Sequence, residues 1–134
     1  MPSGSCLCGG VRFETGEPGE AYYCHCTRCQ GRTGSGASAQ ARLDGDSFRL
    51  LAGEELVKGW RHPDGGFEKF FCRECGAHLF SRNPDDPSQM SVRMSAFDED
   101  PGVRPSARVF TAYAAVWEPI PEDGLERFPE MKAW

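Results

Sequence analysis

Three thiols stand within six residues in Tyr22-Tyr23-Cys24-His25-Cys26-Thr27-Arg28-Cys29, a density that points to metal chemistry. A strand sends side chains to alternate faces, so Cys24 and Cys26 point the same way and His25 points away. A turn after Cys26 then swings Cys29 back towards them. Three sulfurs satisfy only three corners of a zinc tetrahedron. A structural site is closed by four protein ligands, whereas a working site keeps one position for water or substrate.

The other four cysteines support this division. Cys6 and Cys8 form a C-x-C pair, and Cys72 and Cys75 form a C-x-x-C pair. Two pairs make one complete four-sulfur site, which leaves Cys24, Cys26 and Cys29 as the incomplete one. Phe70-Phe71-Cys72-Arg73-Glu74-Cys75-Gly76 reads as a tight knuckle whose backbone N–H groups face the thiolates, with Gly76 taking a positive φ. Gly9-Gly10, directly after Cys8, lets the chain fold closely around a metal. His78 is the main competitor for closing the triplet, ahead of His25 and His62. Iron–sulfur and redox-thiol readings of the same cysteines stand behind zinc.

The elements that must hold these groups are short. At 134 residues the chain is expected to form one domain over residues 1–134, with roughly two-thirds of its unfolded surface buried. A mean hydropathy of -0.53 implies a modest core, which metal cross-links would brace. No signal peptide and no membrane-spanning stretch is legible, so the expected compartment is the reducing cytoplasm, where closely spaced thiols bind metal rather than form disulfides. A net charge of -5 argues against nucleic acid as the main partner. Twelve of the fifteen basic residues are Arg, so recognition of a carboxylate by an Arg fork stays open.

In order, the chain reads as mainly β. Val11 and Phe13 alternate with Arg12 and Glu14 in a half-buried strand over 5–14, and Ala21-Tyr22-Tyr23 leads into the triplet. Thr27 is an expected N-cap for one or two helical turns. The glycines of 31–36 fit a flexible loop or a close backbone approach to a strand or ligand. Further strands are expected near 38–43, 48–52, 56–60, 67–72, 78–81 and 89–95. In the last of these, Met90, Val92 and Met94 form a buried face opposite Gln89, Ser91, Arg93 and Ser95, and the methionines are core filler rather than soft ligands. A short strand at 109–113 and Trp117 as a packing anchor complete the chain. The acidic runs at 83–88 and 97–102 lack calcium-loop spacing and read as solvated turns.

The succession Cys6-Leu7-Cys8-Gly9-Gly10-Val11, Cys24-His25-Cys26-x-x-Cys29, Phe71-Cys72-x-x-Cys75-Gly76 and the late Trp117 resembles the glutathione-dependent formaldehyde-activating enzyme family, which includes the domain of centromere protein V. The likeness runs over roughly residues 4–128. It implies a small zinc-braced β-tent fold of short antiparallel strands. It also implies two zinc ions per chain: a structural one on Cys6, Cys8, Cys72 and Cys75, and a catalytic one on Cys24, Cys26 and Cys29. Where many relatives have paired basic residues after the triplet, this chain has Gln30-Gly31. Where they have His-Ile late in the chain, it has Arg108-Val109.

The activity the resemblance implies is that of a carbon–sulfur lyase-type enzyme adding glutathione, or a similar small thiol, to formaldehyde or a related aldehyde. Coordination to a metal deprotonates a thiol outright, so the open position suits a substrate thiolate; polarising the aldehyde oxygen there is the other reading. The implied partners are a small-molecule thiol and aldehyde. No residue is assigned as general base. A non-catalytic zinc-binding or chaperone-like module on the same fold is the alternative function, and a cytoskeletal or chromatin-binding domain stands behind it.

Overall fold

The computed structural model describes residues 1–133; Trp134, the last position of the expected domain, lies outside the described residues. The fold is mainly β, as expected. Its strands are β1 Ser3–Ser5, β2 Arg12–Glu14, β3 Ala21–Cys24, β4 Ser38–Asp44, β5 Arg49–Ala52, β6 Val57–Trp60, β7 Glu68–Cys72, β8 His78–Asn83, β9 Asp86–Arg93, β10 Pro105–Val109 and β11 Glu126–Arg127. The helix α1, Thr27–Thr33, follows β3. A three-stranded sheet has the order β1-β2-β5, and an eight-stranded sheet the order β11-β10-β3-β4-β9-β8-β7-β6.

The large sheet has two chemically different faces because its registers keep like residues in line. One cross-strand row runs Ala21, Ala41, Val92, Phe80, Phe70 from β3 to β7. Leu43 and Met90 pair beside it. Val92, Phe80, Phe70, Leu43 and Met90 pack with Val11, Phe13, Leu79, Ala96 and Phe97 into the main core, which the small sheet covers. Phe48 bridges the layers, its ring 5.2 Å from Phe13 and 4.6 Å from Phe80. Each residue pointing one way leaves its neighbours pointing the other. The opposite face therefore carries Tyr22, Gln40 and Arg93 in one row, and Lys69, Ser81, Ser91 and Arg42 in the next.

Several expectations are corrected. The strand over 5–14 is two strands, β1 and β2, because Cys6 to Gly10 turn out of the sheet with Gly9 at φ 78. Not every strand is antiparallel, since β10 pairs parallel with both β3 and β11. The strand at 109–113 ends at Val109: Phe110 takes the left-handed φ of 54, and Thr111–Tyr113 form a 3-10 turn. That turn is held by the chain's end, with Phe110 N–H donating to the Glu130 carbonyl and Thr111 N–H to the Phe128 carbonyl. Trp117 is 67% exposed and anchors no core. No helix among the described residues is long and apolar enough to cross a membrane.

Candidate metal centre

The four-cysteine group forms where two knuckles meet. In the first, Cys6 N–H donates to the Val11 carbonyl and Val11 N–H donates to Cys6 Sγ at 3.2 Å, closing a loop around the thiol. In the second, Gly76 stands at φ 75 and its N–H donates to the Cys72 carbonyl. The main core holds Cys6 and Cys72 buried, which fixes the two knuckles against each other. The ligand atoms of Cys6, Cys8, Cys72 and Cys75 lie within 4.8 Å of one another. Cys6 and Cys8 sulfurs are 3.5 Å apart, and Cys8 and Cys72 sulfurs 3.9 Å. Tetrahedral zinc–thiolate bonds of about 2.3 Å set sulfur edges of about 3.8 Å, so the spacing suits zinc.

The second group, Cys24, Cys26 and Cys29, also gathers within 4.8 Å. Strand β3 delivers Cys24, and Cys29 sits in the first turn of α1. The N-cap is Cys26 rather than Thr27: its Sγ accepts from the Cys29 N–H at 3.3 Å. A sulfur facing the free N–H groups of a helix start is favoured as thiolate. Hydrogen bonds from Cys24 and Cys26 hold the Cys29 thiol far below the usual range, while hydrogen bonding with Cys26 pushes Cys24 up. Three sulfurs gathered this closely are an arrangement suited to a cation.

Among the described residues, no histidine or carboxylate joins the triplet's group. His25 is buried and turned away, as strand alternation predicts, with Nε2 facing Arg108. His62 lies on a separate turn, its Nδ1 accepting from the Asp64 N–H. His78 lies on β8 against Arg32 and Arg93; burial, then those two guanidiniums, pushes its pKa down to about 4.

Beside the triplet opens a cleft of about 640 Å³, within the ordinary range for a small-molecule site. Cys24, Cys26 and Cys29 form part of its wall, the polar row of the large sheet forms its floor, and Phe67, Phe110 and Tyr113 stand among its lining residues. Gln30 ties this rim together. Its Nε2 donates to the His25 carbonyl at 2.8 Å and to the Tyr113 carbonyl at 2.9 Å. The polar floor, with Lys69, Ser81, Ser91, Arg93 and Gln40, was not singled out in the sequence. Its only local signal is the alternation opposite Met90 and Val92, which reads equally well as a solvated face.

The family described as "Glutathione-dependent formaldehyde-activating enzyme" matches residues 1–113 of the chain. A protein of Halomonas elongata, provisionally named a glutathione-dependent formaldehyde-activating enzyme, is 33% identical over 104 residues. That match covers 72% of this chain and 66% of the relative, so the chain spans just under two-thirds of that protein's length. A crystal structure of a Rhodobacter sphaeroides protein superposes with a TM-score of 0.62 at 24% identity, covering 77% of this chain and 91% of that one. That likeness is one of fold.

Proposed function

The chain belongs to the glutathione-dependent formaldehyde-activating enzyme family, and on that footing we propose that it is a zinc-dependent carbon–sulfur lyase-type enzyme joining a small thiol, glutathione or a similar one, to formaldehyde or a related aldehyde. The observation that carries the reading is the three-sulfur group at the wall of a cleft, with no fourth protein ligand among the described residues. We assign a structural zinc to Cys6, Cys8, Cys72 and Cys75 and a catalytic zinc to Cys24, Cys26 and Cys29, in a reducing, cytoplasmic setting.

Cys24, Cys26 and Cys29 would hold zinc, which when bound would supply an open position favouring the thiolate form of an incoming thiol. The reaction balances simply: sulfur bonds to the aldehyde carbon, the carbonyl π bond breaks, and the proton lost by the thiol ends on the aldehyde oxygen. The chain's own part is placement. Cys26, capping α1, locks the spacing of Cys29, and the Gln30 side chain fixes the backbone at His25 against the Tyr113 rim. Phe67, Phe110 and Tyr113 restrict water, while the Ser81–Ser91 pair, 2.6 Å apart, presents hydroxyls from the floor. Holding two reactants in such a site converts an encounter into an intramolecular step.

The test is the exchange of formaldehyde with glutathione followed by NMR at chemical equilibrium. Faster exchange between free formaldehyde and the S-hydroxymethyl adduct with wild-type protein, abolished in Cys26→Ser, is the expected result. Exchange at the protein-free rate with fully zinc-loaded protein would overturn the enzymatic reading.

A further inference from the structure

Among the described residues, Phe110 is the only one other than glycine with a positive φ, at 54 with ψ 38. A bulky side chain is sterically disfavoured in that left-handed region, and such residues persist where their surroundings hold them, most often at functional sites. The chain's end holds this one. Phe110 N–H donates to the Glu130 carbonyl, Thr111 N–H to the Phe128 carbonyl, and Tyr113 Oη to Glu130 Oε1. Phe110 packs on the cluster of Tyr22, Cys24, Ala107 and Val109, on which Cys26 and Cys29 also pack, and it lines the cleft. A strained backbone thus sets an aromatic ring beside the metal group.

That ring belongs to an apolar side of the cleft. Tyr113, its ring 6.1 Å from that of Phe110, lines the same hollow, as do Phe67 and Met131. Tyr113 is 47% exposed and Met131 37%, so apolar surface here faces the opening instead of the core. Keeping such surface wet is unfavourable in proportion to its area, and a ligand that lays hydrocarbon against it relieves that cost. Neither reactant named above does this, since glutathione is a charged peptide and formaldehyde has a single carbon. A cleft of about 640 Å³ has room for a larger pair. Met131 adds an unbranched, polarisable side chain that adapts to ligands of different shape.

We infer that Phe67, Phe110, Tyr113 and Met131 form an apolar subsite for the substituent on the carbonyl carbon, so that the preferred aldehyde bears a hydrocarbon chain or ring. The inference rests on the thiol–aldehyde reaction proposed for the triplet and names its carbonyl reactant. The bonds made and broken stay the same. Sulfur joins the carbonyl carbon, the π pair goes to oxygen together with the thiol's proton, and the product is a 1-hydroxyalkyl thioether. The substituent begins one bond from the carbon that meets the sulfur, so a ring packed on the same cluster as Cys26 and Cys29 is placed to read it. A polar thiol falls to the floor of Gln40, Ser81 and Ser91, which leaves the apolar side to the aldehyde.

Primary alcohols from ethanol to hexanol stand in for the aldehydes without reacting, and the Met131 methyl resonance of the zinc-loaded protein reports their binding. Affinity is expected to rise about threefold to fourfold with each added methylene. The slope is expected to flatten in Phe110→Gly, which takes the same φ without strain and lacks the ring, and to survive in part in Phe110→Leu. A wild-type Met131 signal that ignores every alcohol, or an affinity independent of chain length, would overturn the subsite, as would a slope carried over whole into Phe110→Gly. Butanal in the glutathione exchange measurement then tests the link to chemistry. Its acceleration over the protein-free rate is expected to exceed that of formaldehyde; an acceleration for formaldehyde as large or larger rejects the assignment to the aldehyde. Protein that accelerates neither aldehyde refutes the reaction itself, and the alcohol slope then upholds or rejects the apolar subsite on its own.

Discussion

Arg108 donates from Nη1 to Nε2 of His25 over 3.2 Å, setting a buried cation beside the residue that separates Cys24 from Cys26. The same guanidinium donates through Nε and Nη2 to Asp123 and lies 4.4 Å over the Tyr23 ring. Because arginine only donates, Nε2 of His25 is an acceptor and the ring is neutral. Burial, then Arg108, pushes the His25 pKa down. Strand β10 thereby grips the end of β3 through the face that carries Tyr23 and His25, and Arg108 has a positioning role.

Replacing that cation should loosen the triplet without touching it. Arg108→Ala removes the donor to His25 Nε2 and both donors to Asp123 Oδ2, and is expected to cost roughly 2 to 3 kcal/mol, the range for hydrogen bonds to charged groups. Urea unfolding of the metal-loaded protein reads it. A midpoint equal to wild type would show that the contact is incidental.

The two cysteine groups should part company under mutation. Elemental analysis is expected to find about two zinc ions per wild-type chain and about one in Cys26→Ser, with the strand signal of circular dichroism retained. Cys72→Ser, which breaks the group inside the main core, is expected to lose the fold along with the metal. Two zinc ions kept by Cys26→Ser would sink the division.

Acid should weaken the fold partly through His78. Its folded pKa of about 4 lies below the ordinary 6.5, because of burial and then Arg32 and Arg93, with the Cys29 charge opposing them. Between these values the unfolded chain binds a proton that the native chain refuses, so stability rises with pH across the window and is complete above it. His78→Gln should flatten the slope of stability against pH between about 4 and 6.5. A slope unchanged from wild type would assign the acid sensitivity elsewhere.

Phe13 is the core position with most to lose. It is fully buried, stacked on Phe48 at 5.2 Å and edge-on to Phe97 at 6.3 Å. Phe13→Ala is expected to cost roughly 3 to 5 kcal/mol, transfer and cavity together, a large share of the stability of a chain this size. A drop in melting temperature of only a degree or two would mean that the small sheet recloses over the gap.

What was legible in the residues alone was whatever depends on near neighbours. Cysteine spacing is local, and counting ligands against zinc's four corners divided seven thiols into four and three before any strand was placed. Alternation is local too, and Met90 and Val92 against Ser91 and Arg93 announced a two-faced strand. The tertiary structure decided which faces meet. Register across β4, β9, β8 and β7 lined up Gln40, Arg93, Ser91, Ser81 and Lys69, residues from four segments whose joint charge no single window contains. The parallel seating of β10 on β3, which carries Arg108 to His25, and the left-handed turn at Phe110 that forms the rim, likewise depend on chain partners far apart in sequence. Ligand valence and side-chain period are set within a few residues, while strand order is set by the whole core's burial, and the charged cleft is a product of strand order.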